Sequence, residues 1–271
     1  MSKVYCRLAG GLGNQIFQYG ASLLISKKKH VPFIQLDDSG LSTYKSIRSN
    51  ELPNYFKLEN AMFKKSNILK LRLPKMKFIT PFANNFIGDL NFNRLIDKNL
   101  KSKNLKSKNY YLDGYFQSCL NQSVFDEMLS VLKQDYIYSS INVKKNVCAI
   151  HIRGGDFLTE KYSDIASVDY YYEKLTKVKE LNIAERFIIV TDDRSYASEL
   201  AKKISLDYSF SEGSMLEDFL LIAQSQIKIL SNSTFSIWAS ALGFQPGCIV
   251  FAPQMLTVKD TRNFILPGEL I

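Results

Sequence analysis

The sequence is poor in the residues that build metal centres and disulfide frameworks. Its 271 residues include only two histidines and four cysteines, and the cysteines are widely spaced with no CxxC pair. Two histidines are too few for the usual zinc sites, and an unpaired cysteine in a strand is most often a small buried hydrophobe. We therefore expect no bound metal and no disulfide; the cysteines are Cys6, Cys119, Cys148 and Cys248.

Long apolar runs are missing as well. No stretch approaches the ~18 apolar residues that a membrane-spanning helix needs. The apolar segment at residues 4–8 is too short for the core of a signal peptide and is followed by glycines. These absences predict a cytoplasmic protein. The 46% of hydrophobic residues predicts a globular fold with a buried core.

Positive charge is concentrated in one segment. The chain has a formal net charge of +9, and residues 57–108 hold thirteen Lys/Arg and three Asp/Glu, so this segment carries +10. Apolar residues are mixed among its lysines, a composition that suits peripheral contact with an anionic membrane surface. A solvated basic face accounts for the same composition equally well, and the motifs of nucleic-acid-binding modules are missing.

Strands and helices alternate along most of the sequence, which predicts an α/β fold with parallel sheets covered on both faces. Residues 40–110 have weak periodicity, and we predict short helices there. Predicted strands lie at residues 4–8, 31–36, 110–115, 147–152, 186–191, 227–230 and 248–251. Predicted helices lie at residues 14–29, 124–132, 169–181, 196–204, 214–225 and 233–242.

Two glycine-containing loops follow predicted strands, one in each half of the chain. Gly10-Gly11-Leu12-Gly13-Asn14 follows the first strand, and His151-Ile152-Arg153-Gly154-Gly155-Asp156 lies at the end of the strand at 147–152. Ligands of open α/β sheets bind at the carboxyl ends of strands. We therefore predict two Rossmann-like domains, residues 1–142 and 143–271, that face one cleft and transfer a group from a phosphorylated ligand.

The first loop has three interpretations. Gly11 and Gly13 let the backbone approach a ligand closely at the start of a helix, but a tight turn needs the same residues. With Asp37 at the end of the second strand, the loop also resembles a dinucleotide site of an NAD(P)-dependent oxidoreductase. Ile16 stands where the third glycine of that fingerprint belongs, which weakens the dinucleotide interpretation.

The second loop and a later serine-rich turn carry groups suited to a nucleotide. Arg153 can hold a phosphate through its planar fork, His151 can bond a base or ribose, and Asp156 brings a carboxylate. Ser231-Asn232-Ser233-Thr234-Phe235-Ser236 precedes a helix, where hydroxyls and backbone N–H groups bind phosphate. Asp218 can accept two hydrogen bonds from a guanine edge. A buried histidine, helix caps and a surface acid are the alternatives.

In this order the motifs resemble those of bacterial α-1,2-fucosyltransferases of glycosyltransferase family 11. The matching segments are residues 10–22, 151–156 and 191–193, then Asp218 and residues 231–236. A looser likeness extends to α-1,6- and protein O-fucosyltransferases. The family pattern is HxRRxD, and here Gly154 replaces the second arginine. Residues 40–110 show no recognisable resemblance to the family.

The resemblance implies a GT-B-like fold and inverting transfer of L-fucose from GDP-β-L-fucose to the 2-hydroxyl of a galactoside, without an obligatory metal. It implies that the first domain takes the acceptor and the second the donor. His151 and Asp218 would hold guanosine, and Arg153 would hold the diphosphate. The other donor-binding residues that it implies are Gly11, Gly13, Asn14, Asp192, Ser233, Thr234 and Phe235.

The resemblance leaves several roles open. Asp156 is the first candidate for the general base and Glu160 the second, while Asn14 would orient the acceptor or the transferred sugar. Another GDP-6-deoxyhexose such as GDP-colitose would use the same motifs. The implied setting is bacterial O-antigen synthesis, with a lipid-linked acceptor at the inner face of the cytoplasmic membrane.

Overall fold

Two five-stranded parallel sheets organise the chain, which confirms the predicted α/β fold. The computed structural model describes residues 3–39, 41, 48–63, 92–95, 109–117, 120–155, 158, 165–256 and 261–270. The chain divides into unit 1 (Met1–Cys119 and Asp126–Asp135) and unit 2 (Leu120–Phe125 and Tyr136–Ile271).

The sheet of unit 1 has the strand order β3-β2-β1-β5-β4. Its centre is β1, where Cys6 pairs with Leu36 of β2 on one side and with Leu112 of β5 on the other. The five strands are β1 (Lys3–Arg7), β2 (Ile34–Asp37), β3 (Ala61–Phe63), β4 (Phe92–Leu95) and β5 (Asn109–Leu112).

Helix α1 (Leu12–Lys29) follows β1, close to its predicted range. It forms because apolar residues recur at helical spacing, and Ile16, Phe17 and Leu24 are buried. The helix ends at His30, which has a left-handed backbone (φ 51°), after three lysines that complement the helix dipole.

Most of residues 40–110, where short helices are predicted, lies outside the described residues, and the described part is mixed. Leu52–Asn54 forms one turn of 3₁₀ helix, whereas Ala61–Phe63 and Phe92–Leu95 are strands. Strands of three and four residues are too short to show an alternating pattern, so periodicity cannot detect them.

The sheet of unit 2 has the strand order β10-β9-β6-β7-β8. Its strands are β6 (Lys144–Ile152), β7 (Arg186–Thr191), β8 (Ser209–Phe210), β9 (Ser225–Ile229) and β10 (Ile249–Phe251). Its helices, near their predicted ranges, are α3 (Val168–Glu180), α4 (Arg194–Lys203), α5 (Met215–Gln224) and α6 (Thr234–Leu242). Helix α2 (Gln122–Asp135) contributes residues to both units.

Both faces of the central strand β6 are buried. Cys148, Ile150 and Ile152 pack in one cluster with side chains of α3 and α4. Val147 and Ala149 alternate with them, point to the other face and are also fully buried. A strand covered on both faces reads as a continuous apolar run, which explains why the sequence predicted β6 well.

Side-chain caps fix the starts of three helices of unit 2. Ser167 accepts from Tyr170 N in α3, and Asp193 accepts from Tyr196 N in α4. Ser214 and Glu217 form the predicted capping box of α5. Helix α6 differs, because its N-cap residue Ser233 makes no side-chain capping bond.

The segment 261–270, which we call the C-terminal strap, covers the edge strand β10. Val250 N donates to Gly268 O at 2.9 Å, and Leu270 N donates to Val250 O at 2.9 Å. Arg262 is buried within the strap and forms an ion pair with Glu269. The strap therefore closes an edge that would otherwise expose unpaired backbone groups.

The described cysteines Cys6, Cys148 and Cys248 are buried free thiols. Burial raises the pKa of the Cys6 and Cys148 thiols, so both stay protonated and unreactive at neutral pH. Cys119 and most of the basic segment 57–108 lie outside the described residues. No helix in the described ranges is long and apolar enough to cross a membrane.

Candidate active site

The sheet of unit 2 places a crevice at the carboxyl ends of β6 and β9. Strand β6 lies between β7 and β9. The chain proceeds from β6 toward β7 on one side and from β9 toward β10 on the other, so the loops after β6 and β9 part in opposite directions. Such a switch point is where open α/β sheets bind ligands.

A hydrogen-bonding pair bridges this crevice. His151 Nδ1, at the end of β6, lies 2.8 Å from Ser231 Oγ, which follows β9. The imidazole is 5% exposed, and its ring centroid is 5.8 Å from that of Phe235. Tyr171 donates its hydroxyl hydrogen to His151 O at 2.8 Å and thereby fixes the backbone of the strand end.

Burial, and next the positive charge of Arg153, lower the pKa of His151 from 6.5 to about 3. The imidazole is therefore neutral throughout the physiological pH range. A neutral histidine suits hydrogen bonding to a base or ribose better than pairing with a phosphate charge.

Asp192 holds the glycine loop that follows β6. Its Oδ1 accepts from Gly154 N at 2.8 Å, and its Oδ2 forms an ion pair with Arg153 Nη1. Both side chains of the pair are partly exposed. The guanidinium is thus oriented at the rim of the crevice by a neighbouring strand end.

Helix α6 begins at the same edge. Ser231, Asn232 and Ser233 are buried in the turn between β9 and α6. Asn232 Nδ2 donates to Leu256 O at 3.2 Å, and Ser236 Oγ donates to Ser233 O at 3.1 Å. These bonds hold the first turn of α6, where backbone N–H groups and the helix dipole favour an anion.

Asp218 lies in the first turn of α5, next to Phe219. The Phe219 and Phe235 rings make an edge contact at 5.4 Å between centroids, which ties α5 to the start of α6. Asp218 Oδ1 is buried and has no hydrogen-bond partner in the described part of the chain. Burial raises the pKa of Asp218. A donor from a ligand would satisfy this oxygen.

The site residues predicted in unit 1 lie at the start of α1. Gly11 is the N-cap of α1, and Gly13 and Asn14 lie in its first turn. Asn14 Oδ1 accepts a hydrogen bond of 2.7 Å from Gln117 Nε2, which follows β5.

A sequence model of the family Glycosyl transferase family 11 matches residues 6–261. The chain belongs to this family. The resemblance predicted from the motifs is therefore confirmed, and the chain is a glycosyltransferase of the fucosyltransferase type.

Two curated relatives of this family 11 glycosyltransferase are enzymes of Escherichia coli. The O-antigen biosynthesis glycosyltransferase WbnK of Escherichia coli is 26% identical, over 96% of this chain and 97% of that protein. An alpha-1,2-colitosyltransferase of Escherichia coli is 28% identical, over 98% of this chain and 97% of that protein.

Solved structures of two fucosyltransferases share the fold of the family 11 enzyme. NodZ from Bradyrhizobium superposes with a TM-score of 0.55 at 11% identity, over 89% of this chain and 93% of that one. POFUT1 in complex with GDP-fucose has a TM-score of 0.55 at 11% identity, over 93% and 97% of the two chains. The GT-B-like fold implied by the motifs is thereby confirmed.

The structure of the family 11 enzyme brings most of the predicted residues of unit 2 to one edge. His151 lies at the end of β6 and contacts Phe235, and Arg153 pairs with Asp192 just after β6 and β7. Asp156 and Glu160, the candidate bases, lie outside the described residues. No group of three or more His, Cys, Asp or Glu side chains is arranged for a metal within the described ranges.

The structure disfavours the oxidoreductase alternative, which needs Asp37 to bind the ribose of the cofactor. Asp37 is buried, and its Oδ1 accepts from Ser39 N at 3.1 Å and from Ser39 Oγ at 2.6 Å. This carboxylate oxygen is engaged by its own turn, whereas a ribose-binding acid must face the cofactor. Family membership and this geometry both favour glycosyl transfer.

Sequence reasoning missed three partners of these residues. Ser231 pairs with His151, Tyr171 bonds the backbone of His151, and Gln117 pairs with Asn14. Each partner is distant in sequence from the residue it contacts. The position of Ser231 and Gln117 just after predicted strands was the signal that could have found them.

Acid is expected to destabilise the enzyme through His151. Between pH 6.5 and about 3 the unfolded chain binds a proton at His151 that the folded protein does not bind, so the free energy of unfolding falls as pH falls. The loss amounts to a few kcal/mol, at about 1.4 kcal/mol per pKa unit. Urea unfolding of wild-type and His151→Gln, followed by the fluorescence of the single tryptophan Trp238, measures it.

The variant His151→Gln should show a shallower fall below pH 6.5 than the wild type. Both proteins share the contribution of the carboxylates, so the difference between the two curves isolates position 151. Parallel curves would contradict the assignment of a depressed pKa to His151.

Gly154→Ala is expected to destabilise the enzyme by about 1–3 kcal/mol. A Cβ at this position would lie 2.5 Å from Asp193 Cβ, and Asp193 cannot retreat without losing its cap on α4. Thermal unfolding by circular dichroism measures the effect. Gly11→Ala is the control, because its Cβ would meet nothing within 4 Å.

The clash of a Cβ at position 154 with Asp193 also concerns the family pattern HxRRxD, which has arginine at this position. An arginine at position 154 would begin with the same clash, so Gly154→Arg should be no more stable than Gly154→Ala. If Gly154→Arg unfolds at the wild-type temperature, the loop after β6 adopts the arginine-bearing conformation without cost and the prediction is wrong.

Proposed function

We propose that this enzyme transfers L-fucose from GDP-β-L-fucose to the 2-hydroxyl of a terminal galactoside and forms an α-1,2 linkage. The observation that carries the proposal is the Arg153–Asp192 ion pair at the switch point of unit 2, in a chain that belongs to family 11. NodZ and POFUT1, which share the fold, have been crystallised with GDP or GDP-fucose.

Unit 2 is proposed to bind the donor. The diphosphate would contact Arg153 and the first turn of α6, which includes Ser233, Thr234 and Phe235. Support comes from comparing the N-caps of the described helices α3 to α6 of unit 2. The N-cap residues of α3, α4 and α5 make side-chain capping bonds, and that of α6 makes none. An anion at α6 would complete an N-terminus whose N-cap residue, Ser233, makes no side-chain capping bond.

Guanosine is proposed to lie between His151 and Asp218. The buried oxygen Asp218 Oδ1, which has no partner among the described residues, matches the N–H donors of a guanine edge. The neutral imidazole of His151 can bond the ribose or base. Asp192 would act by orienting Arg153 and Gly154 N, and a direct bond from Asp192 to the donor stays a prediction.

Unit 1 is proposed to bind the acceptor, with Asn14 orienting the acceptor or the transferred sugar. Contact of Gly11, Gly13 and Asn14 with the donor, which the resemblance implies, stays a prediction. In the reaction, the acceptor 2-hydroxyl oxygen attacks the anomeric carbon while the bond from that carbon to the β-phosphate oxygen breaks. A carboxylate takes the hydroxyl proton, and Asp156 is our first candidate and Glu160 our second. Such a base contributes about 10²–10⁴-fold to the rate.

The charge that develops on the leaving GDP needs a counter-charge. Arg153 and the α6 dipole supply positive potential at the site, so we propose that the reaction requires no metal. The acceptor is proposed to be lipid-linked, in O-antigen synthesis at the inner face of the cytoplasmic membrane. Support comes from the relative WbnK and from the basic segment 57–108.

A second donor deserves a test because of one relative. The alpha-1,2-colitosyltransferase of Escherichia coli is 28% identical over nearly the whole chain. GDP-colitose shares the GDP part and the 6-deoxy character of GDP-fucose. The same residues of unit 2 would bind it, and the alternative is therefore colitose transfer with the same chemistry.

GDP release by the purified enzyme tests the proposal. The assay compares GDP-fucose and GDP-colitose, with and without methyl β-galactoside or lactose, in excess EDTA, and NMR of the product gives the linkage. Acceptor-dependent release from GDP-fucose with an α-1,2 product supports fucose transfer. Release from GDP-colitose alone supports the second donor. Loss of activity in EDTA that Mg²⁺ restores would overturn the metal-free mechanism.

A further inference from the structure

The sheet of unit 1 has a switch point of its own. Strand β1 lies between β2 and β5, and the chain leaves β1 toward β2. The loops after β1 and β5 therefore border a crevice at the carboxyl ends of these strands, where open α/β sheets bind ligands. In unit 2 the equivalent crevice is bridged by His151, at the end of β6, and Ser231, which follows β9.

Buried glutamines of α1 tie the walls of this crevice together. Gln18, 1% exposed, accepts from Ala9 N at 2.9 Å and donates to Gly114 O at 3.1 Å, so it joins the loop after β1 to the loop after β5. Gln15, fully buried, donates to Gly10 O at 3.1 Å and to Ser49 O at 2.9 Å. The loops are thus held at fixed separation.

A hydrogen bond between two side-chain amides joins the start of α1 to the loop after β5 and is partly exposed. Gln117 Nε2 donates to Asn14 Oδ1 at 2.7 Å across the crevice. Phe116, the residue before Gln117, is fully buried and has a left-handed backbone with φ 60°. A left-handed backbone is costly for a bulky residue and persists only where the surrounding structure imposes it. Here it sets the position of the next residue, Gln117.

The chemistry of this crevice favours a neutral polyhydroxyl ligand. Arg7 and Asp113 pair across its base at 3.4 Å, so their charges compensate each other. Amides supply both donors and acceptors without charge, and adjacent sugar hydroxyls have the same mixed character. Tyr115 on the same loop is 39% exposed and adds an aromatic surface, which small-molecule sites commonly include.

We propose that Gln117 determines acceptor specificity, by binding hydroxyls of a terminal β-galactoside together with Asn14. The inference rests on the proposed function, in which unit 1 takes the acceptor. Gln117 lies outside the sequence motifs, and its placement follows from the topology of the sheet and the strained backbone at Phe116.

Galactoside binding without donor tests the inference separately from catalysis. Methyl β-galactoside and lactose are titrated by NMR into wild-type, Gln117→Ala and Gln117→Glu proteins, and GDP is titrated into the same proteins by calorimetry. Gln117→Glu keeps the shape of the side chain, so it guards against a folding defect in Gln117→Ala. Gln134→Ala, an exposed glutamine of α2, is the matched control.

Gln117→Ala should weaken galactoside binding by about tenfold, the effect of removing one hydrogen-bonding side chain, while the Kd of GDP stays within about twofold. Unchanged galactoside affinity in both Gln117 variants overturns the inference. Equal losses for galactoside and GDP also overturn it, because they indicate a structural role. Failure of the wild-type protein to bind either galactoside overturns it as well.

Failure of the proposed function gives a different pattern. A wild-type protein that binds galactosides through Gln117 but releases no GDP from GDP-fucose contradicts fucose transfer and leaves the saccharide site standing. In turnover assays Gln117→Ala should raise the acceptor KM and leave the donor KM unchanged, and an increase in both would count against the inference.

Discussion

Replacing Arg153 with lysine is expected to lower GDP-sugar turnover by at least about a hundredfold, the usual cost of removing a preorganised donor from a developing anion. Lysine keeps the positive charge but lacks the planar fork that pairs with Asp192 and can contact two phosphate oxygens together. Because the leaving group gains charge in the transition state, kcat should fall more than donor KM rises.

Initial rates of acceptor-dependent GDP release at saturating donor measure this effect. Arg186→Lys, an exposed arginine at the opposite end of β7, is the matched control and should keep the wild-type rate. Asp192→Asn should give an intermediate loss, since an amide oxygen can still accept from Gly154 N but no longer pairs ionically with Arg153. A wild-type rate in Arg153→Lys would show that the phosphates are held elsewhere.

Replacing Arg262 with alanine is expected to reduce the free energy of unfolding of unit 2 by about 3–5 kcal/mol, the cost of breaking a buried ion pair. The guanidinium side chain is 1% exposed and donates to Glu269 Oε2 at 2.7 Å and to Phe264 O at 2.5 Å. Without the guanidinium, the Glu269 carboxylate is buried without its ion-pair partner. The strap also loses the hydrogen bonds that Arg262 makes within it.

Urea unfolding followed by Trp238 fluorescence reports on this region, because Trp238 is fully buried and stacks with Phe125, which in turn stacks with Phe264 of the strap. The double variant Arg262→Leu/Glu269→Leu should be less destabilised than the sum of its single variants. Lys177→Ala, which removes an exposed i,i+4 pair with Glu173, should cost under about 1 kcal/mol. If Arg262→Ala lowers the free energy of unfolding as little as Lys177→Ala does, Arg262 does not stabilise the strap as predicted.

The second half of the fold was accessible from sequence because its local signals agree. Strand β7 was predicted at its observed bounds, and the capping box of α5 is present as predicted. Both are short-range patterns, an apolar run and a spacing of three residues between Ser214 and Glu217. Strands β3 and β4 escaped prediction because they are short and are held by pairing to neighbours distant in sequence.

The site residues differ in the same way: some are marked by local sequence patterns, and others are defined only by contacts between distant residues. His151 and Arg153 could be predicted because they follow a clear strand and stand beside glycines. The pairings His151–Ser231 and Asn14–Gln117 join residues 80 and 103 positions apart, and nothing local in the sequence specifies them. They follow from the strand order, which decides whose carboxyl ends are neighbours.

The C-terminal strap also sets an order of events during synthesis. A ribosome makes β10 before the segment that covers it, so the nascent chain carries a bare strand edge until the strap emerges from the exit tunnel. Early domains can fold while translation continues, but unit 2 needs the strap, which is made after β10, to shield that edge. Stalled or prematurely released chains that end before Arg262 would therefore be substrates for chaperones and proteases rather than less active enzymes.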